Sequence, residues 1–100
     1  MKIKVSQLKY GERLFNIKQS PRLNLTDGDL AHINYYDNEI VIDANQSDEQ
    51  KTLSLLHEHF EAVGRVFGQK KLLEEDCDML AEGTYQLLKQ LGIEFDWGEP

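Results

Sequence analysis

Apolar and polar positions alternate along the first half of the chain and recur at helical spacing along the second. Lys2 to Val5 alternates charged and apolar residues, the period of a half-buried strand. Tyr10-Gly11 marks a turn. Leu14 to Lys18 predicts a second strand with Phe15 and Ile17 on one face, interrupted at Ser20-Pro21. Leu23 to Leu30 contains Thr26-Asp27-Gly28-Asp29, which is turn chemistry rather than a regular element. Ala31 to Tyr36 and Glu39 to Asp43 read as two further strands. Asp37-Asn38 between them forms a two-residue tip whose residues tolerate the positive φ of a tight hairpin.

The second half is helical. Ser47 is placed as an N-cap, and Gln50 three residues on completes a capping box. Asp48 and Glu49 suit the positive end of the helix dipole. Leu53, Leu56, Phe60, Val63 and Phe67 recur at helical spacing and predict a core-facing stripe. Gly68 ends this helix, with Gly64 a competing stop. A second helix is expected from about Leu72 to Leu91. Leu73, Cys77, Leu80, Leu87, Leu88 and Leu91 form its apolar face, and Gly92 caps it. Ile93, Phe95 and Trp97 then alternate with acids, so the tail adds a short strand or docks on the core. The expected fold is α+β: a small N-terminal sheet, antiparallel or mixed, packed on a C-terminal two-helix hairpin. Residues 1–100 read as one domain, with strands in 1–45, helices in 46–91 and a tail in 92–100.

Composition narrows the function classes. At 100 residues with 40% hydrophobic content, the chain has enough apolar material for one core. Its single cysteine, Cys77, excludes an intrachain disulfide. The net charge of -7, without a basic stripe, argues against nucleic-acid binding. No apolar run approaches the roughly 20 residues of a membrane span. The first residues lack the apolar centre of a signal peptide. The expected location is cytoplasmic.

The chemistry concentrates in Leu55 to Val63, where His57, Glu58 and Glu61 spell H-E-x-x-E. Residues four apart stack on one helix face, so His57 and Glu61 point the same way and could share a metal ion. Glu58 follows His57 directly, where the general base sits in the H-E-x-x-H zinc helix. His59 lies nearly opposite His57 and reads as a surface or boundary residue. A metal needs at least a third protein ligand. Glu74 and Asp78, one turn apart on the edge of the second helix's apolar face, could be brought against His57 and Glu61 by an antiparallel hairpin. Glu75 and Asp76 point elsewhere. Cys77 falls on the apolar face and reads as a small buried hydrophobe.

The pattern resembles small gluzincin-type metallopeptidases, in particular the ImmA/IrrE-like family and its compact phage and prophage members. Thr52-Leu53-Ser54-Leu55-Leu56-His57-Glu58 is similar to that family's T-L-x-H-E-x-x-H helix. Glu74, Asp78, Leu80 and Ala81 are similar to its E-x-x-A-[DN]-x-[FL]-A helix, and the likeness runs from about Ile33 to Leu91. The resemblance implies a zincin-like domain with His57, Glu61 and Glu74 as metal ligands and Glu58 as general base. Asp78 would orient His57 through its other ring nitrogen. It implies zinc as the cofactor and a protein or peptide as the substrate. Glu61 departs from the family's histidine. One imidazole with two carboxylates cancels a divalent charge, weakens polarisation of water and lowers the preference for zinc over manganese or iron. A metal site is therefore expected more firmly than peptidase activity. Tyr35, Tyr36, Tyr85 and His32 are the candidate oxyanion donors. The alternative is a catalytically degenerate phage-type module, with or without a metal, that acts through a partner protein. A plain α+β domain with a coincidental motif is the third reading.

Overall fold

The computed structural model describes residues 1–21 and 29–98. The predicted turn chemistry at Thr26-Asp27-Gly28 lies outside them. The chain is α+β, in the order β1 (Lys2–Lys4), β2 (Gln7–Tyr10), β3 (Arg13–Ser20), β4 (Ala31–Asn34), β5 (Glu39–Asp43), α1 (Asp48–Phe67), α2 (Glu74–Gln90) and β6 (Glu94–Asp96). Four strands form a mixed sheet in the order β2-β3-β5-β4. β2 and β4 pair antiparallel with their neighbours, and β3 and β5 run parallel. β1 and β6 pair parallel in a separate two-stranded sheet.

β2 is a strand that the sequence pattern did not single out. It is short, and only Leu8 and Tyr10 turn towards the core. Gly11, at φ +60, makes its turn into β3, a conformation that costs glycine little. β3 extends beyond the predicted Leu14 to Lys18 at both ends and stops before Pro21. β4 is shorter than predicted and ends at Asn34. There the Asn34 side chain accepts hydrogen bonds from the backbone N–H groups of Tyr36 and Asp37. This side-chain turn replaces further strand pairing, so the hairpin tip spans Tyr35 to Asn38 rather than two residues.

α1 begins as its cap predicts, with Ser47 Oγ accepting from the Gln50 N–H at 3.1 Å. It continues through Gly64 and ends at Gly68. A Cβ on Gly64 would lie 2.8 Å from Leu72 Cγ. Glycine there lets the chain fold back tightly into α2. The core joins Phe15, Ile40 and Ile42 of the sheet to Leu55 and Ala62 of α1, with Tyr10 and Trp97 at its margins. α1 packs on the sheet, and α2 packs on α1.

The predicted apolar stripes need correction. Phe67 is 62% exposed, because it lies at the end of α1 beyond the sheet. Leu73, Leu80, Leu87 and Leu91 are exposed as well. α2 meets the rest of the molecule along a narrow line centred on Cys77 and Ala81, and these leucines flank that line. The tail fulfils both of its expected roles: β6 pairs with β1, and Trp97 is buried, donating its indole N–H to Thr52 Oγ1 at 3.1 Å.

Candidate metal centre

Two helices and one strand meet at the H-E-x-x-E segment. His57, Glu58 and Glu61 project from consecutive turns of α1. Each offers one ligand atom, and these atoms all lie within 4.8 Å of one another. The group could hold a metal ion. The antiparallel hairpin brings α2 alongside as predicted. Asp78 Oδ1 lies 2.7 Å from His57 Nδ1, and Glu74 Oε2 lies 2.7 Å from His57 Nε2. Both ring nitrogens therefore face a carboxylate. A neutral imidazole carries a single N–H, so one further proton must sit on the ring or on an acid to satisfy both contacts. A divalent cation can take the place of such a proton, because metal binding to these groups displaces protons.

The exposures of these groups differ widely. Glu58 is 6% exposed, while the side chains of Glu74 and Asp78 are 66% and 72% exposed. Burial raises Glu58 to about 8, and the neighbouring charge and hydrogen bond of Glu61 add to the rise. A carboxyl held protonated beside a second carboxyl forms a hydrogen-bonded pair of acids. Cys77 lies on the buried line of α2 as predicted. Burial and the charges of Glu61, Glu74 and Glu58 push its thiol up to about 11. It stays a thiol at neutral pH.

His57, Glu58, Glu74 and Asp78 border a cleft of about 310 Å³. Its walls come from α1, α2 and the start of β4, with Leu30 and Ala31 facing His57, Glu58, Glu74 and Asp78 across it. β4 is the last strand of the four-stranded sheet, so among the described residues its outer edge pairs with no other strand.

The remaining candidates separate cleanly. His59 points away from His57 and accepts from or donates to the Tyr10 hydroxyl at 2.7 Å, tying α1 to β2. Burial lowers its pKa. Tyr36 is 97% exposed on the hairpin turn. Tyr85 lines a different cavity beside Trp97, with Lys89 over its ring. His32 sits within β4, opposite Val41. Tyr35 alone combines a buried hydroxyl with an electrostatic link to Glu61 and Glu58. Burial and these two charges raise its phenol to about 12. Nothing in the sequence distinguished it from Tyr36, because only the side-chain turn at Asn34 decides which tyrosine faces inward.

No helix among the described residues is long and apolar enough to cross a membrane. No protein-family model, curated protein or solved structure matches the chain.

Proposed function

We propose that the protein is a divalent-metal-dependent hydrolase of protein or peptide substrates, built like a compact ImmA/IrrE-type metallopeptidase. The observation that carries this reading is the cluster of His57, Glu58 and Glu61, with Glu74 and Asp78 of α2 held against the His57 ring. The donor set suits a divalent cation: one imidazole and carboxylates whose like charges need a counter-ion. His57 and Glu61 would hold the metal, with Glu74 as the third ligand. When bound, the metal would supply Lewis-acid polarisation of a carbonyl and of water.

The chain's own residues divide the remaining work. Asp78 holds His57 Nδ1 and so fixes the ring's orientation and directs Nε2 at the site. Glu58 would be the proton carrier: burial and Glu61 keep it protonated in the metal-free site, and with those charges offset by a cation its carboxylate could take a proton and return it. The outer edge of β4, which pairs with no strand among the described residues, lies beside the cleft and could pair with an extended peptide, setting its carbonyls against the site.

The test is metal content by mass spectrometry, before and after incubation with zinc or manganese, against a His57→Ala control. About one metal per chain, lost in the control, is the expected result. Hydrolysis of an unfolded protein that disappears in Glu58→Gln then completes the case. No metal under any loading condition sinks the reading. The second reading, a partner-binding module, draws on the exposed leucines of α2. It would lead if metal binds but no hydrolysis accompanies it.

A further inference from the structure

The cavity beside Trp97 is separate from the metal centre. Its volume is about 290 Å³, and it shares no lining residue with the cleft at His57. The first turn of α1, the end of α2, β6 with its flanking residues and Lys2 of β1 all contribute to it. Its size lies at the small end of ligand sites and suits one ring with a short arm. The proposed hydrolase makes no use of it.

Aromatic rings and acids dominate the lining. Tyr85 comes from α2, and Phe95 and Trp97 come from the tail. Trp97 is fixed in place by the bond from its indole N–H to Thr52. Asp48, Glu49, Glu94 and Asp96 set four carboxylates against the ammonium groups of Lys2 and Lys89. Lys2 stands opposite Glu94 in the β1–β6 register, so those two charges offset each other. Asp48 lies 4.0 Å from Lys51, whereas Glu49 is in no ion pair among the described residues. The dipole of α1 adds only about half a positive charge where Asp48 and Glu49 stand. The balance of the lining is negative.

Lys89 marks what the lining accepts. Its Nζ lies 5.4 Å from the centroid of the Tyr85 ring, a cation–π contact. Among the described residues it is in no ion pair. An ammonium thus already rests on an aromatic wall of the cavity, and the ring alone holds it there. The side chain is exposed, so it can swing out and leave the ring to another cation.

We propose that this cavity binds a small organic cation, an ammonium group carried on an aromatic or other apolar body. The ligand's ammonium takes the place of Lys89 over Tyr85, with the lining carboxylates as counter-charges. Its apolar body lies against the rings of the tail. A neutral molecule of the same shape gains the apolar contact and loses the attraction of ring quadrupole and acids.

Trp97 is the sole tryptophan and lines the cavity, so its fluorescence reads occupancy. The experiment titrates the full chain with 2-phenylethylammonium and with 2-phenylethanol, which differ in the charged group. The ammonium should bind at least about fivefold more tightly. Lys89→Met removes the resident cation and keeps a long side chain. It should tighten the ammonium about threefold and leave the alcohol unchanged. Glu49→Gln should weaken the ammonium alone. Both residues are exposed, so neither change threatens the fold. Equal affinity for the two probes overturns the proposal, as does the absence of any binding at millimolar concentration. An ammonium affinity that ignores both substitutions places the probe elsewhere and overturns it too. So does a loss of affinity in Lys89→Met, because Lys89 would then hold the ligand instead of occupying its place.

Discussion

The two helices lie side by side and treat their surroundings in opposite ways. α1 is covered by the sheet on one flank and by α2 on another. It buries Lys51, Thr52, Ser54 and Glu58 as well as Leu55, Leu56 and Ala62. α2 is covered along one line and buries only Cys77 and Ala81, while Leu73, Leu80, Leu87 and Leu91 stay in solvent. Hydrophobicity alone does not explain this division, since the leucines lie outside and the charges inside. What decides is whether a neighbour exists. The buried polar groups of α1 each have one: Lys51 Nζ donates to Gln19 Oε1 at 2.7 Å, Ser54 bonds Gln46, and Thr52 bonds the Asp48 carbonyl and Trp97. A polar residue can be buried at little cost when its partner is already in place.

The contrast can be tested at its extremes. Leu55→Ala, in the covered helix, should cost about 2–5 kcal/mol in urea denaturation. A loss under about 1 kcal/mol would mean that α1 is not the central layer. Glu58 gives the next effect, read as a pH dependence of the metal-free protein. Its folded value of about 8 lies above the ordinary 4.5, so its contribution is fully present below pH 4.5 and is lost as pH rises towards 8. Glu58→Gln should remove that decline and be the more stable form at pH 8. His59, lowered by burial, tilts the parent curve the other way below about pH 6.5. The difference between parent and variant is therefore the readout. Identical slopes would show that Glu58 is ionised in the fold.

Asp78→Asn weakens the hold on the His57 ring from the α2 side. It should lower zinc affinity by about 10–100-fold in a chelator competition, with little change in stability. Unchanged affinity would remove Asp78 from the site. Trp97→Phe deletes the bond to Thr52 and part of a buried ring, an effect of about 1–2 kcal/mol by thermal unfolding. The smallest effect is expected at Leu87→Gln, within about 0.5 kcal/mol. A large destabilisation there would mean that the outer face of α2 is covered after all.

The elements easiest to read from sequence were those whose determinants are local. Ser47 and Gln50 fix where α1 starts, and the four-residue spacing of His57 and Glu61 fixes that they share a face. The meeting of Glu74 and Asp78 with His57 followed from an antiparallel hairpin with a tight return, which Gly64 permits. What could not be read depended on distant partners. β2 is a strand because β3 offers it a register, and its own pattern is only two inward residues. The leucines of α2 looked buried because periodicity marks an apolar face without saying how wide the surface opposite is. Tyr35 and Tyr36 are adjacent and chemically alike, and only the hydrogen bonds of Asn34 send one inward and leave the other 97% exposed.

The pairing of β1 with β6 has a consequence for the order in which the molecule assembles. The Glu94 N–H donates to the Met1 carbonyl at 2.8 Å, beside the β1–β6 ladder. Hairpins and helices close short loops within microseconds, whereas the β1–β6 pairing closes a loop that spans β2 to α2. That clasp also seats Trp97, the sole tryptophan, against Thr52. Refolding followed by tryptophan fluorescence therefore reports the β1–β6 closure, and far-ultraviolet dichroism reports the helices that precede it. A lag of the first signal behind the second is the time β1 and β6 take to find each other.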